Sequence, residues 1–166
     1  MGLRAEYLAI PTEELQRIEA ATGDLSELWE ELAGNDIFPR GDIDKSWDGL
    51  HFLLTGESAT DPIEDNRLSE AIVGVDFLGD EDSEDFAGSV PADSVPDIVA
   101  ALEAVDIGSL VAAADFSQFA EAELYPEIWD DDSEELREDL RRAFANVLAF
   151  YRTAAEKNYA VIVSIW

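Results

Sequence analysis

Apolar residues in the last third of the chain recur with two different periods. From Tyr159 to Trp166 they occupy both alternating faces, which is typical of a strand in the interior of a sheet. Between Glu134 and Lys157 they recur every three or four residues, the spacing of one helical face, at Leu136, Leu140, Phe144, Val147, Tyr151 and Ala154. We therefore predict a central C-terminal strand with the long helix packed across it.

Shorter periodic segments precede these two elements. Leu3 to Ile10 alternates partly, as a strand does, and Pro11 ends it. Phe86–Val90 is predicted to be a short edge strand. Periodic apolar positions predict helices at Thr12–Ala21, Leu25–Leu32, Leu68–Val73, Val95–Val105, Asp106–Ala114 and Ser117–Ala122.

The stretch from Asp42 to Gly56 combines helical periodicity with candidate chemistry. Trp47, Leu50 or His51, and Leu54 share one face of a predicted helix. Asp44 is a plausible N-cap of this helix and Gly56 its closing residue. The indole of Trp47 would need a hydrogen-bond acceptor if it is buried.

His51 is the only histidine in the chain and the strongest catalytic candidate. Asp48 precedes it by three residues, so the carboxylate could hydrogen-bond the imidazole and favour its charged form, as in a general acid–base pair. We favour the alternative that His51, between Leu50 and Phe52, is a hydrogen-bonded core or boundary residue.

The remaining candidates are binding residues, and none of them indicates a metal or a cofactor. Tyr125 and Trp129 flank a proline turn, where they could line a pocket or lock the turn onto the core, the second being favoured. With Trp47 and Asp44 they complete the set of candidate binding residues. Acidic runs starting at Asp80 and Asp130 lack the glycine and glutamate of a calcium loop.

Four stretches resemble one protein family in kind and in order. The string from Lys45 to Gly56, Lys-Ser-Trp-Asp-Gly-Leu-His-Phe-Leu-Leu-Thr-Gly, resembles the hallmark of the YfbM-like family, small bacterial proteins grouped as a domain of unknown function (DUF1877). Ala5–Ile10, Leu124–Trp129 and Phe150–Ala155 are similar in kind. The resemblance implies a compact single-domain α+β protein and brings no activity or catalytic residue. With the predicted elements, we expect one domain over residues 1–166, with several helices on a small mixed sheet that includes both terminal strands.

The charge of the chain restricts its partners. There are 39 acidic against 10 basic side chains, for a net charge of −29. Such a field repels nucleic acid and anionic lipid and attracts a basic protein partner, although an acidic or salt-adapted proteome would produce the same surface. The chain has no cysteine, secretory signal or long apolar run, so we expect it to be cytoplasmic.

Three hypotheses follow for function. The first is an acidic, non-catalytic binding or inhibitor-like protein that docks a basic protein. The second is a small hydrolase or lyase that uses His51 as general base with a neighbouring carboxylate. In the third, the acidity serves solubility only. The absence of nucleophile and phosphate-loop signatures favours the first over the second.

Overall fold

A computed structural model describes residues 2–20, 27, 30–32, 34, 36–78 and 86–165. Within these residues five strands are β1 (Ala5–Ile10), β2 (Arg40–Asp44), β3 (Asp76–Leu78), β4 (Phe86–Val90) and β5 (Ala160–Ile165). The α-helices are α1 (Thr12–Ala20), α2 (Trp47–Thr55), α3 (Arg67–Val73), α4 (Val95–Glu103), α5 (Ile107–Ala113), α6 (Phe116–Glu121) and α7 (Ser133–Lys157).

The strands form one sheet in the order β2-β1-β5-β4-β3. All six residues of β5 are buried, and it pairs with β1 on one side and β4 on the other. The prediction of a central C-terminal strand is thereby confirmed. Apolar side chains on both faces explain the position, because only an interior strand of a covered sheet buries both.

Helices cover the two faces of the sheet unequally. On one face Tyr7 and Val163 join the main core together with Phe144, Val147 and Tyr151 of α7. On the other face a smaller cluster forms where Leu8 and Ile162 meet Leu15 and Ile18 of α1. The predicted α+β class, with both terminal strands in one sheet, is therefore confirmed.

Several details of the sheet differ from the expectation. All four strand pairings are antiparallel, whereas a mixed sheet was expected. Phe86–Val90 lies between β5 and β3 and is not an edge strand. The edge strand β2 was missed because only Ile43 of its five residues is buried, so it shows no apolar alternation. Half of the residues of the predicted Leu25–Leu32 helix lie outside the described residues, as does the acidic run that starts at Asp80.

Two buried tyrosine hydroxyls complete the C-terminal end of α3. The last carbonyls of a helix have no partner within it. The Tyr151 hydroxyl donates to the Ala71 carbonyl at 2.8 Å, and the Tyr7 hydroxyl donates to the Ile72 carbonyl at 3.0 Å. Burial raises the pKa of both phenols, which remain protonated donors. These bonds attach α7 and β1 to the same helix end.

We predict that Tyr151→Phe lowers the free energy of unfolding by about 1 to 3 kcal/mol, because it leaves the buried Ala71 carbonyl without a donor. Urea unfolding measures the change. Tyr159→Phe is the matched control, since the Tyr159 hydroxyl has no hydrogen bond within the described residues, and its effect should stay within about 0.5 kcal/mol. Equal losses in the two variants would contradict this role.

Candidate functional site

Helix α2 carries most of the candidate chemistry and begins later than predicted. Ser46 precedes its first turn and makes no side-chain capping bond, and Asp44 is instead the last residue of β2, with φ at 49°. The predicted N-cap at Asp44 is therefore wrong. The predicted end is confirmed, because Gly56 is left-handed at φ 84° and its N–H donates to the Phe52 carbonyl at 2.8 Å.

The imidazole of His51 is fully buried and bonded through both ring nitrogens. Its Nδ1 lies 2.7 Å from the Glu57 carbonyl, and its Nε2 lies 2.7 Å from the hydroxyl of Ser69. A carbonyl only accepts, so the proton is on Nδ1, and Nε2 accepts from Ser69. The Ser69 oxygen in turn accepts from the N–H of Ile63 at 3.0 Å. His51 therefore connects α2 to the following loop and to α3.

This network favours the neutral imidazole. Burial lowers the pKa of His51, and this outweighs the Glu57 carbonyl and the charges of Asp48 and Glu57, which raise it. A second ring proton, on Nε2, would also remove the acceptor of the Ser69 hydroxyl proton. The arrangement is that of a core histidine.

Asp48 does not make the predicted hydrogen bond to His51. Its side chain is 2% exposed, and one carboxylate oxygen accepts from the Ser58 hydroxyl at 2.7 Å and the Ala59 N–H at 2.8 Å. The other oxygen accepts from the Tyr125 N–H at 2.8 Å. The carboxylate thus joins two loops, distant in sequence, to α2, because its buried oxygens require donors.

Trp47 and Tyr125 form a stacked pair that holds the N-terminal segment. Their rings lie 5.5 Å apart at an interplanar angle of 21°. The Leu3 N–H donates to the Tyr125 hydroxyl at 2.7 Å, and the Trp47 indole N–H donates to the Leu3 carbonyl at 3.1 Å. The acceptor that a buried Trp47 needs is therefore backbone, a partner that side-chain periodicity does not reveal.

Trp129 is packed into the core beside α2. Its indole N–H donates to the Leu124 carbonyl at 2.9 Å, and its ring contacts Phe116 and Phe119. A Cβ at Gly49 would lie 2.3 Å from the Trp129 ring, so only glycine allows this approach. Both aromatic residues of the turn thus fasten it to the core, as favoured, and Trp129 also lines a groove.

A surface groove of about 540 Å³ runs between the end of β2, the 126–129 turn and α7. Asp44 and Trp129 line it, whereas His51, Asp48 and Trp47 do not. Its other charged lining residues were not singled out from the sequence, although the scarcity of basic residues could have drawn attention to them: Arg4, Asp42, Lys45, Asp139 and Arg142. We call this feature the mixed-charge groove.

Neither a cluster of metal-ligating side chains nor a membrane-spanning helix occurs in the described part of the chain. No three acidic or histidine side chains within residues 2–20, 27, 30–32, 34, 36–78 and 86–165 are grouped so as to hold a metal ion. Over the same ranges no helix is both long and apolar enough to cross a membrane.

Fold and site together define a small α+β domain built around a buried polar helix turn beside a mixed-charge groove. The chain belongs to the family described as "Domain of unknown function (DUF1877)", whose model matches residues 1–164. The family resemblance of the sequence is thereby confirmed.

Two comparisons show that the chain is similar to a protein of Escherichia coli. It is 31% identical over 176 residues to "Protein YfbM" of Escherichia coli (strain K12), and the match covers 99% of each chain. The crystal structure of a protein of unknown function, YfbM from Escherichia coli, matches with a TM-score of 0.80 at 24% identity, over 98% of this chain and 99% of that one. The structural likeness supports the fold.

We predict that NMR titration finds His51 neutral, with its proton on Nδ1, and with a midpoint below pH 6.5. Because the folded pKa is lowered, the unfolded chain takes up the proton first as pH falls. The contribution of His51 to stability therefore declines below pH 6.5, by at most about 1.4 kcal/mol per pH unit. His51→Gln should remove this slope. A midpoint at or above pH 6.5 would contradict the assignment.

Proposed function

We propose that this protein is a non-catalytic binding protein of the bacterial cytoplasm whose acidic surface docks a basic protein partner. The observation that carries the proposal is the charge of the segment Glu121–Asp139. Ten of its residues are acidic and all ten are exposed, whereas Arg137 is its single basic residue. A one-sign surface of this kind steers a partner of opposite charge and speeds association.

Arginines pair with only three of these ten acids, Glu134, Glu138 and Asp139. Seven of the ten basic side chains already pair with acidic ones within the described part of the chain: Arg4, Arg17, Arg67, Arg137, Arg141, Arg142 and Arg152. Most of these pairs are partly exposed and add little to stability. Among the acidic residues that the structure describes, most carboxylates have no cationic partner and face solvent.

The geometry gives the enzyme hypothesis no support. A general base must reach the proton that it removes. His51 is 0% exposed, and both of its nitrogens bond within the fold. Asp48 is occupied by three donors from two loops. We therefore assign both residues a structural role.

The same charge argues against other partner classes. Nucleic acid and anionic membrane surfaces are bound through basic patches, and this chain has a net charge of −29. The absence of cysteine is consistent with the reducing cytoplasm. Our proposal therefore excludes nucleic acid and membranes as partners.

Neutralising part of the acidic segment should slow association with the partner. The variant Glu127→Gln/Asp130→Asn/Asp131→Asn changes only exposed residues without side-chain bonds in the described structure. A partner captured from lysate of the source bacterium at low salt is identified and purified, and its binding rate is then measured. We expect the rate to fall about tenfold in the variant, and to fall with added salt for the unmodified protein.

The control variant removes the same charge elsewhere on the surface: Asp61→Asn/Asp93→Asn/Glu156→Gln. It should bind nearly as fast as the unmodified protein. Equal slowing in both variants would show that net charge alone acts, without a docking surface. Capture that is unchanged between low and high salt would overturn the proposal.

A further inference from the structure

The mixed-charge groove differs in charge from the rest of the surface. Three of the ten basic residues in the chain line it, Arg4, Lys45 and Arg142, whereas only three of the 39 acidic residues do so. The groove therefore presents equal numbers of positive and negative side chains in a protein of net charge −29. A basic partner attracted by the remaining surface would meet cations here.

Ion pairs within the groove leave specific groups available. Arg4 contacts Asp42 at 2.7 Å and Asp44 at 3.0 Å, and Arg142 contacts Asp139 at 3.1 Å. Lys45 forms no ion pair with any residue that the structure describes. Asp44 and Asp139 each use one oxygen on an arginine, so the second oxygen of each can accept from a ligand.

The floor of the groove is apolar. Ile43, Trp129 and Leu140 are buried and Ile128 is half-buried, whereas the charged lining residues, which form the rim, are exposed. A volume of about 540 Å³ lies in the range of pockets that enclose small organic ligands. The floor therefore suits a ligand with an apolar body, and the rim suits polar groups of both signs.

The electrostatic field of the protein and the charges inside the groove together favour a ligand of one charge type over the others. A simple anion could reach Lys45 but is repelled by the net charge of −29. A simple cation is attracted to the protein, yet it meets Arg4, Lys45 and Arg142 inside the groove. A zwitterion has no net charge to be repelled, and it satisfies Lys45 with its carboxylate and Asp44 or Asp139 with its ammonium.

We propose that the mixed-charge groove binds a zwitterionic short peptide with apolar side chains. Lys45 binds the terminal carboxylate, Asp44 or Asp139 binds the terminal ammonium, and the side chains contact Trp129 and its apolar neighbours. The groove shares Ile128, Trp129 and Asp139 with the acidic segment. This site nevertheless goes beyond the docking of a basic protein and does not depend on it, because its ligand has no net charge.

The test compares four forms of one dipeptide, leucyl-phenylalanine. The free dipeptide is zwitterionic at neutral pH, its N-acetyl form is an anion, its amide is a cation, and the N-acetyl amide is uncharged. NMR shifts of the Trp129 indole N–H and of the 43–46 amides report binding. We expect the zwitterion to bind about tenfold more tightly than each other form, with little dependence on salt.

Two variants test which side chain binds each end of the ligand. Lys45→Gln should lower the affinity for the zwitterion severalfold, so that it comes close to the affinity for the amide. Asn is chosen at position 44 because it tolerates the positive φ of 49°. Asp44→Asn should lower the affinity for the zwitterion toward that for the N-acetyl form. If Asp44→Asn has no effect, Asp139→Asn should lower this affinity instead. The matched controls Lys157→Gln and Asp61→Asn lie outside the groove lining and should leave binding unchanged.

Each other outcome overturns the inference. Absence of shifts with all four forms means that the groove is not a peptide site. Equal affinity for the four forms means that apolar contact alone drives binding. Tightest binding of the amide would make the groove a cation site, and tightest binding of the N-acetyl form an anion site. The acidic-segment variants test the basic partner separately, so either proposal can fail alone.

Discussion

The burial of one carboxylate constrains the centre of this fold. Asp48 is 2% exposed, and a buried carboxylate is stable only where donors replace its hydration. Its donors come from Ser58, Ala59 and Tyr125, on the two loops that follow α2 and α6. Hydrogen bonds to a charged group contribute about 1.5 to 3 kcal/mol each, so the two loops are fixed relative to α2.

The position of the 124–129 turn determines what lies next to it. With Tyr125 bonded to Asp48, its ring stacks on Trp47 and its hydroxyl receives the Leu3 N–H. The same turn carries Trp129 over Gly49 and forms one wall of the mixed-charge groove. Asp48 and His51 of α2 thus influence the surface indirectly, because they fix the positions of the loops to which they bond. The acidic segment and the groove are the surfaces that we propose for partners.

Periodicity predicted the elements whose side chains enter the core. The long helix and β5 could be read from the sequence because burial imposes a period on apolar residues. Arg40–Asp44 could not, since an edge strand with one buried residue leaves no such pattern. The partners of Asp48 also escaped prediction. Two of them are backbone N–H groups, and the Tyr125 amide lies 77 residues away, so no spacing rule connects them. Sequence proximity instead suggested His51, which the structure bonds elsewhere.

Amide hydrogen exchange tests the role of Asp48 most directly. In the unmodified protein the Ala59 and Tyr125 amides should exchange only on global unfolding, since both donate to a buried carboxylate. Asp48→Asn replaces one accepting oxygen by an NH₂ donor, so at least one of the two amides then faces another donor and should exchange by local opening, many times faster than core β5 amides. Protection of both amides that stays equal to that of β5 in the variant would contradict the account.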